Sequence, residues 1–324
     1  MLDVSAVILT GNEELHIERC LERICPLVKE VFIIDCFSQD RTLEIVSEFQ
    51  KVSEVSSSAK ITVLENKWVN HATQFNWALE NAPIKTKWTL RLDADEYLCE
   101  DLIEELKEKL DKEPEEVTGI SFLLRRVWMG RTIRRGLPPI RQMRLFRTGK
   151  ARSEVRQMDE HIELLEGHGV DYNGEWADDN LNNISWWTLK HVGYAIREAT
   201  DLLDIEFDLT GNGSEDNNRK ITEDARRKRM RKHSYAKKPL FFRSFLYFCY
   251  RYFFRLGFLE GKEGFMWHFF QGWWYRSLVD AKVFEIKKAC GVLGVKVEKM
   301  SDAELVKVRK DLKEHLRNQY KIKI

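Results

Sequence analysis

The sequence predicts an α/β fold in which helices flank a mostly parallel sheet. Short apolar strands alternate with helical segments through the first third of the chain, and polar or acidic residues follow the strand ends. Strand–helix–strand units of this length connect parallel strands with a right-handed crossover. Ligands of such sheets bind beyond the carboxyl ends of the strands. A helical C-terminal extension, rich in aromatic and basic residues, is predicted to follow. A helix is predicted at residues 191–235, interrupted by an exposed loop at 211–214, and the sequence SDAE at 301–304 predicts a capping box.

The strands are recognised as short apolar, partly β-branched runs, which are typical of strands buried on both faces. Four such runs lie at residues 4–9, 31–34, 61–64 and 88–92. Apolar residues at helical spacing predict helices between them, and residues 100–110 are predicted to form an amphipathic helix. Polar clusters follow three of the strands, at residues 12–14, 35–40 and 93–96. Because exposed loops are generally polar, the argument for a site depends on all three clusters together.

Composition excludes several classes of protein. The 324 residues carry 53 Lys and Arg against 52 Asp and Glu, so no overall charge favours a nucleic-acid ligand. The six cysteines form no CxxC pair, which predicts free, mostly buried thiols in a reducing compartment. The N-terminal residues do not resemble a signal peptide, and no run approaches the ~20 apolar residues of a spanning helix. A cytoplasmic location is expected.

The triplet Asp93-Ala94-Asp95 follows directly on the strand predicted at 88–92. Two carboxylates at positions i and i+2 beyond a strand end can face one cation, either directly or through water. Oxygen ligands of this kind suit Mg²⁺ or Mn²⁺. Such an ion offsets the negative charge of a diphosphate leaving group as a Lewis acid. The triplet alone is a weak signal, and its position after a buried strand strengthens it.

Four motifs, in this order, resemble those of family 2 glycosyltransferases with the GT-A fold. They are VILTGNEE at 7–14, IIDCFSQDRT at 33–42, QFNWAL at 74–79 and LDADE at 92–96. A looser resemblance, carried by RLFR at 144–147 and DEH at 159–161, is to the branch with lipopolysaccharide-core β-glucosyltransferases and surface-polysaccharide enzymes. The resemblance implies inverting transfer of a sugar from a nucleotide-diphosphate donor, with UDP favoured over GDP. It also implies Mg²⁺ or Mn²⁺ and a lipid-linked glycan or lipopolysaccharide acceptor.

The resemblance also implies roles for individual residues. The residues expected to bind the donor are Thr10, Asn12, Glu14, Asp35, Gln74, Asn76, Arg91, Asp93 and Arg144. The residues expected to bind the metal are Asp95, Asp93 and His161; His161 could instead orient a carboxylate. Two positions depart from the family. Gly11 stands where Lys or Tyr is frequent, and Phe37 lies in a loop that often reads Ser-Gly-Ser-Thr, so this loop is expected to follow its own path.

An inverting transferase needs a general base that takes the proton of the acceptor hydroxyl. Glu160 is the predicted base and Asp159 the close alternative, while an exposed acidic turn without a role is the competing interpretation. Strand alternation over residues 141–147 places Arg144 on the opposite face from Arg141 and Arg147. A guanidinium group there suits phosphate oxygens. The alternative for these arginines is a solvated basic edge strand.

The resemblance and the composition together predict three parts. Residues 1–115 form the nucleotide-sugar-binding half of the GT-A domain, residues 116–235 the acceptor-binding half with the base, and residues 236–324 a helical region for membrane association or oligomerisation. Residues 219–262 contain 14 Lys and Arg against 3 Asp and Glu, interleaved with aromatic residues. This pattern predicts a segment, residues 236–276, that lies on a membrane surface. Packing on the catalytic domain and a homo-oligomer interface are the alternatives.

Two other functions compete with glycosyl transfer. A sugar nucleotidyltransferase would need a glycine-rich, basic phosphate loop after the first strand, and the acidic sequence TGNEE at 10–14 disfavours it. A catalytically inactive protein that kept the fold as a scaffold at the membrane surface is the second alternative, and Phe37 is the residue that favours it.

Overall fold

The computed structural model describes residues 1–55, 59–154, 161–211, 235 and 238–322. It divides into two compact units. One contains Met1–Arg134 and Pro138–Asn182, and the other contains Arg135–Leu137 and Asn183–Ile324. This boundary near residue 183 differs from the boundaries predicted near 115 and 235. The assignment of functions to three parts of the chain therefore remains a prediction.

The first unit alternates strands and helices up to residue 109, as the sequence predicts. Its strands are β1 (Leu2–Thr10), β2 (Val28–Asp35), β3 (Lys60–Glu65), β4 (Trp88–Asp93), β5 (Glu96–Leu98), β6 (Val117–Trp128), β7 (Arg131–Ile133), β8 (Arg141–Arg147), β9 (Ala151–Ser153), β10 (Ile162–Leu164) and β11 (His168–Asp178). Its helices are α1 (Ile17–Ile24), α2 (Thr42–Val55), α3 (His71–Asn81) and α4 (Glu100–Lys109).

The main sheet is mixed, and its first half is parallel. The strand order is β3-β2-β1-β4-β8-β6-β11-β5, with β7 paired to β6. The first four strands of this order run parallel, whereas β8 joins both β4 and β6 in antiparallel pairing. Parallel strands connected through α1, α2 and α3 place their carboxyl ends at one edge. The predicted α/β class is therefore confirmed, and β1, β2 and β4 deliver their final residues to the same place.

Burial explains why the strands read as continuous apolar runs. One face of the sheet packs on α1 and α4 through residues such as Ile8, Leu21 and Leu106, and the other packs on α3 through Val7 and Phe75. Since both faces are covered, neither face of the parallel strands needs polar residues. Polar residues begin where the strands leave the core, and these positions are the candidate site.

The second unit is helical, as predicted for the C-terminal extension. Its helices are α5 (Ile184–Phe207), α6 (Phe242–Cys249), α7 (Gly261–Trp267), α8 (Tyr275–Ala289) and α9 (Asp302–Tyr320), with π-helical segments at Tyr250–Phe254 and His268–Trp274. The predicted capping box is confirmed, because Ser301 and Glu304 satisfy each other's backbone donors at the start of α9. None of the helices among the described residues has the length and apolarity to cross a membrane.

The long helix of the second unit differs in its bounds from the predicted helix at 191–235. Asn183 caps its beginning by accepting a hydrogen bond from the Trp186 backbone, and the helix ends where Asp208 adopts a left-handed conformation. Trp187 is buried and stacks on His191, so it is a core residue. Most of the predicted interruption at 211–214 lies outside the described residues.

Candidate active site

The loops that follow β1 and β2 meet at a buried carboxylate. Asp35, the last residue of β2, accepts hydrogen bonds from the Thr10 hydroxyl at 2.8 Å and from the Ser38 hydroxyl at 2.6 Å. It also accepts from the Ser38 backbone N–H at 2.7 Å, and it has no exposed surface. The carboxylate of Asp35 therefore organises the loop, and its hydrogen-bonding capacity is largely used within the protein.

Further hydrogen bonds join the two loops along their length. The Asn12 backbone donates to the Ser38 hydroxyl at 2.8 Å, and the Asn12 side chain accepts from the Gln39 backbone at 2.8 Å. Glu14 is bonded in both directions, since its backbone donates to Asp40 and its carboxylate accepts from the Arg41 backbone, each at 3.1 Å. The predicted donor-binding residues Thr10, Asn12, Glu14 and Asp35 are thus brought together in one rigid rim, which we call the double loop, residues 10–14 and 35–42.

The carboxylates that follow β4 lie at the same edge of the sheet. Asp93 pairs in register with Leu9, and Asp35 pairs with Thr10, so one strand separates the two acids. Two strand spacings amount to roughly 10 Å between their backbones. The two acids therefore lie at one edge of the sheet, at a separation that a nucleoside diphosphate with its cation could span.

Arg144 on β8 neutralises part of this acidic cluster. Its Nη2 donates to Glu96 Oε1 at 2.8 Å, its Nη1 lies 3.9 Å from Asp93 Oδ2, and its guanidinium stacks over the Trp176 ring at 4.0 Å. The other carboxylate oxygen of Glu96 accepts from the Asp93 backbone at 2.9 Å. Burial raises the pKa of Glu96 well above its usual range; Arg144 opposes this shift, and the charges of Asp93 and Asp95 add to it.

The end of β11 adds acids that the sequence analysis missed. Asp178 pairs in register with Glu96 across β5, and its side chain remains accessible to solvent. Removal from bulk water by the dense surroundings, followed by the charges of Asp95 and Asp93, raises the pKa of Asp178 to about 7. Arg144 and Arg126 oppose this shift.

The residues after Asp178 hold Asp95 in place. Asn180 donates to Asp95 Oδ2 at 2.8 Å, and the Asp179 backbone donates to the Asp95 carbonyl oxygen at 3.1 Å. Arg19 forms an ion pair with Asp179 at 2.6 Å and also reaches the Asp95 carbonyl oxygen at 3.3 Å. The orientation of Asp95 therefore depends on β11 as well as on β4.

The other predicted donor-binding residues lie on the α3 side of the sheet. The Asn76 side chain exchanges two hydrogen bonds with the backbone of Ser153 on β9, both at 2.8 Å, and Gln74 is buried against Asn66. Arg91 precedes Asp93 by two residues on β4, so both side chains project from the same face. Arg91 is buried over the Phe75 ring, and in the described part of the chain its Nε has no hydrogen-bond partner.

The predicted metal ligands are not all gathered. Within the described residues, no three His, Cys, Asp or Glu side chains converge as a ready-made metal site. His161 flanks the β9–β10 pair, where its carbonyl oxygen accepts from the Glu154 backbone at 2.8 Å. The predicted catalytic residues Asp159 and Glu160 lie outside the described residues. Their roles, and that of His161, remain predictions.

A signal for the missed acids was present in the sequence. The segment Trp176-Ala177-Asp178-Asp179 repeats the arrangement of apolar residues followed by two acids at a strand end. The sequence pattern does not predict β11, because the strand contains two glycines and several polar residues. Its pairing with β6 also joins residues about 50 positions apart. Local pattern does not report such long-range pairing.

The sheet is mixed, with four parallel strands, and the sequence Asp93-Ala94-Asp95 stands at the end of β4. This is the arrangement of the GT-A fold, the class that the sequence predicts. Residues 5–158 match the model of glycosyl transferase family 2. The chain carries a family 2 glycosyltransferase domain, and the family predicted from the motifs is confirmed.

Curated relatives match part of the chain. An uncharacterized glycosyltransferase of Rickettsia bellii is 33% identical over 104 residues, which cover 32% of this chain and 31% of the relative. A TPR repeat-containing protein of Synechococcus elongatus is 28% identical over 198 residues, or 60% of this chain and 43% of the relative. The chain thus spans less than half the length of either relative.

Solved structures show distant likenesses. Staphylococcus aureus TarS residues 1–349, in complex with UDP-GlcNAc, has a TM-score of 0.43 at 13% identity. The aligned residues cover 90% of this chain and 92% of the TarS chain. The mannosyltransferase PcManGT of Pyrobaculum calidifontis, in complex with GDP-Man and Mn²⁺, has a TM-score of 0.31 at 23% identity and covers 38% of this chain and 36% of that chain.

Proposed function

We propose that the protein is a metal-assisted glycosyltransferase that moves a sugar from a nucleotide-diphosphate donor, UDP in preference to GDP, to an acceptor hydroxyl. The observation that carries the proposal is the cluster of carboxylates at the ends of β4 and β11, within a family 2 domain. A catalytically inactive scaffold is the alternative. This alternative predicts that neither the binding of the donor nor its hydrolysis depends on these carboxylates.

A divalent cation fits the chemistry of this cluster. Asp93 and Asp95 would hold Mg²⁺ or Mn²⁺, since carboxylate oxygens are the donors that these ions prefer. The charges of Asp95 and Asp93 also contribute to the raised pKa of Asp178, and a cation held by these two residues would offset them. When bound, the ion stabilises the charge that develops on the diphosphate leaving group.

Arg91 is proposed to bind the donor phosphates, and Arg144 is proposed to position a carboxylate of the site. Arg91 lies one pleat before Asp93 on the same face, about 7 Å along the strand. Its buried Nε without a partner among the described residues is a donor that a phosphate oxygen would satisfy. Arg144 already bridges Glu96 and Asp93, so its role would be to fix the orientation of Asp93 toward the ligand.

The base remains a choice among three carboxylates. Glu160 is our proposed base and Asp159 its alternative, and both follow from the family resemblance. Asp178 competes with them, because it is accessible to solvent and lies in the acidic cluster beside Glu96. Turnover of Glu160→Gln, Asp159→Asn and Asp178→Asn at saturating donor separates them. The base variant loses kcat and retains donor affinity, and inversion is checked by the anomeric configuration of the product.

We further propose that the acceptor is a lipid-linked glycan or lipopolysaccharide and that the second unit binds the membrane that carries it. The support is a helix with reversed polarity. The exposed side of α6 and the π-helical turn after it is apolar, through Phe242, Phe245, Leu246, Tyr250, Phe253 and Phe254. Charged residues instead face inward, where Arg243 forms an ion pair with fully buried Asp280 at 2.6 Å. A water-soluble helix has the opposite arrangement.

The segment after this helix continues the apolar surface. Leu256, Phe258 and Leu259 are also exposed, and Phe254 reaches 80% exposure. Exposed basic side chains, Arg255 and Lys262, accompany them. Apolar rings that enter the acyl boundary, with cations at the depth of anionic headgroups, are characteristic of interfacial binding. We propose the cytoplasmic side of the membrane as the place of binding.

Two experiments test the proposed function. A thermal-shift screen of UDP- and GDP-sugars, with and without Mn²⁺, should show a donor that raises the melting temperature only with the metal, because a ligand of the native state stabilises it. Asp95→Asn should abolish this shift and turnover, whereas Glu104→Gln, an exposed acid on α4, should leave both intact. Metal-dependent hydrolysis or transfer that persists in Asp95→Asn would refute the site.

Membrane binding is tested by sedimentation with anionic vesicles. Phe253→Ser with Phe254→Ser should lower vesicle binding without loss of stability, since both side chains are exposed. Leu189→Ser is the matched control, because Leu189 is 74% exposed and lies on α5, outside residues 236–276. Equal binding by the double variant contradicts the proposal. If the double variant instead changes the sedimentation coefficient without vesicles, the face is an interface between copies of the chain.

A further inference from the structure

Phe37 adopts a backbone conformation that its side chain disfavours. Its φ of 63° lies in the left-handed region, where a residue with a Cβ atom is strained. The residue is also 51% exposed, so about half of its surface stays in contact with water. In the described part of the chain, no aromatic ring packs on it. An exposed, strained aromatic residue therefore carries two costs that the fold alone does not explain.

The double loop imposes this conformation. Ser38, the next residue, is fixed by the Asp35 carboxylate through its backbone and hydroxyl, and its hydroxyl also accepts from the Asn12 backbone. On the other side, the Cys36 backbone donates to the Thr10 carbonyl oxygen at 3.0 Å. Residues on both sides of Phe37 are thus held, and the direction of its Cα–Cβ bond is fixed. Strain maintained by such surroundings is concentrated at ligand sites.

Phe37 is the one aromatic residue of the double loop. Residues 10–14 and 35–42 contain no other Phe, Tyr or Trp. The loop after β1 presents no side chain at Gly11, where a Cβ atom would lie only 2.5 Å from the Cys36 sulfur. The exposed ring therefore belongs to the β2 loop, at the sheet edge where Asp35 and Asp93 end their strands.

We propose that Phe37 is the stacking platform for the nucleobase of the donor. The inference rests on the proposed function and adds the part of the site that binds the base. A planar ring held at the rim can cover one face of a base, while the carboxylates beyond β4 and their cation engage the diphosphate. Because every base has a π-face, stacking supplies affinity to uridine and guanosine nucleotides alike, and it leaves their discrimination to other contacts.

The test separates base stacking from loop geometry. Phe37→Gly removes the ring and tolerates the left-handed backbone, so the ligand-free protein should melt at a higher temperature than the wild type. Its Kd for Mn²⁺–UDP should nevertheless rise about 5- to 150-fold, the loss that corresponds to one stacked base. Binding of Mn²⁺–pyrophosphate, which has no base, should not change. Phe37→Tyr should bind Mn²⁺–UDP like the wild type.

Met129 provides a matched control. It is another of the non-glycine residues with positive φ, at 51°, and it is also 51% exposed, in the turn between β6 and β7. Met129→Gly should raise the melting temperature without changing nucleotide affinity. The inference is overturned if the Kd of Phe37→Gly for Mn²⁺–UDP is within twofold of the wild-type Kd. It is also overturned if the affinity for Mn²⁺–pyrophosphate falls by the same factor as the affinity for Mn²⁺–UDP. A wild-type protein that binds neither UDP nor GDP overturns the proposed function, and this inference with it.

Discussion

Replacing Arg144 with methionine tests the electrostatic balance of the site. The substitution retains an apolar side chain over Trp176 and removes the cation that Nη2 brings to within 2.8 Å of Glu96. Glu96 is 4% exposed, so the variant leaves a buried carboxylate without its cation. Removal of one partner from a buried ion pair costs about 3–5 kcal/mol. This is a large part of the roughly 5–15 kcal/mol by which a protein is stable.

The cost should depend on pH in a defined direction. Burial already raises the pKa of Glu96, and the variant lacks the Arg144 charge that opposes that shift. A raised pKa in the folded state means that the charged form destabilises the fold. The cost is therefore absent below the unfolded-state pKa of about 4.3 and grows as pH rises toward the folded-state pKa. Arg144→Met should lower the melting temperature by about 6–20 °C at pH 8 and by clearly less at pH 5.

Urea unfolding at the two pH values measures this difference. Arg147→Met is the matched control on the same strand, because Arg147 stacks over Trp88 at 4.6 Å and donates to the carbonyl oxygens of Val117 and Pro114. The stability that is lost in Arg147→Met should be independent of pH. Adding Glu96→Gln to Arg144→Met should recover stability at pH 8. A loss that is equal at both pH values, or no recovery in the double variant, would refute the reasoning.

Three further outcomes are expected. Without metal, Asp178→Asn should raise the melting temperature at pH 8 and leave it unchanged below pH 4, because the pKa of Asp178 is raised to about 7 and its charge is costly only at higher pH; an equal effect at both pH values contradicts this. Asn76→Ala should cost about 1–3 kcal/mol through two lost hydrogen bonds and speed amide exchange at Ser153, and unchanged exchange would show that β9 does not depend on Asn76. Asp280→Ala should cost about 3–5 kcal/mol in urea unfolding, whereas Lys282→Ala, which breaks an exposed pair with Glu285, should cost less than about 1 kcal/mol; similar losses would mean that the buried pair is not special.

The parallel half of the sheet could be predicted because its strands are buried on both faces. Ile8, Ile33 and Leu90 have almost no exposed surface, and their apolar runs are visible without any knowledge of pairing. The strand ends follow from the same reasoning, which is why Asp35 and Asp93 could be placed at one edge in advance.

The remaining contacts depend on pairing between distant segments. Asp178 reaches the acidic cluster through the antiparallel pairing of β11 with β5, and nothing near Asp178 in the sequence specifies that pairing. Arg144 could be assigned a face by alternation, but its partner Glu96 lies 48 residues away. The internal hydrogen bonds of Asn76 were equally hidden, since an amide side chain can serve a ligand or a neighbouring strand.

The double loop has a thermodynamic consequence for any ligand that it binds. Its two segments are cross-linked by the contacts of Asn12, Glu14 and Asp35, so the rim is ordered before a ligand arrives. Little conformational entropy should then be lost at this rim on association. The same coupling means that substitutions at Asn12 and Ser38 should not be additive, because each removes the contact that gives the other its value.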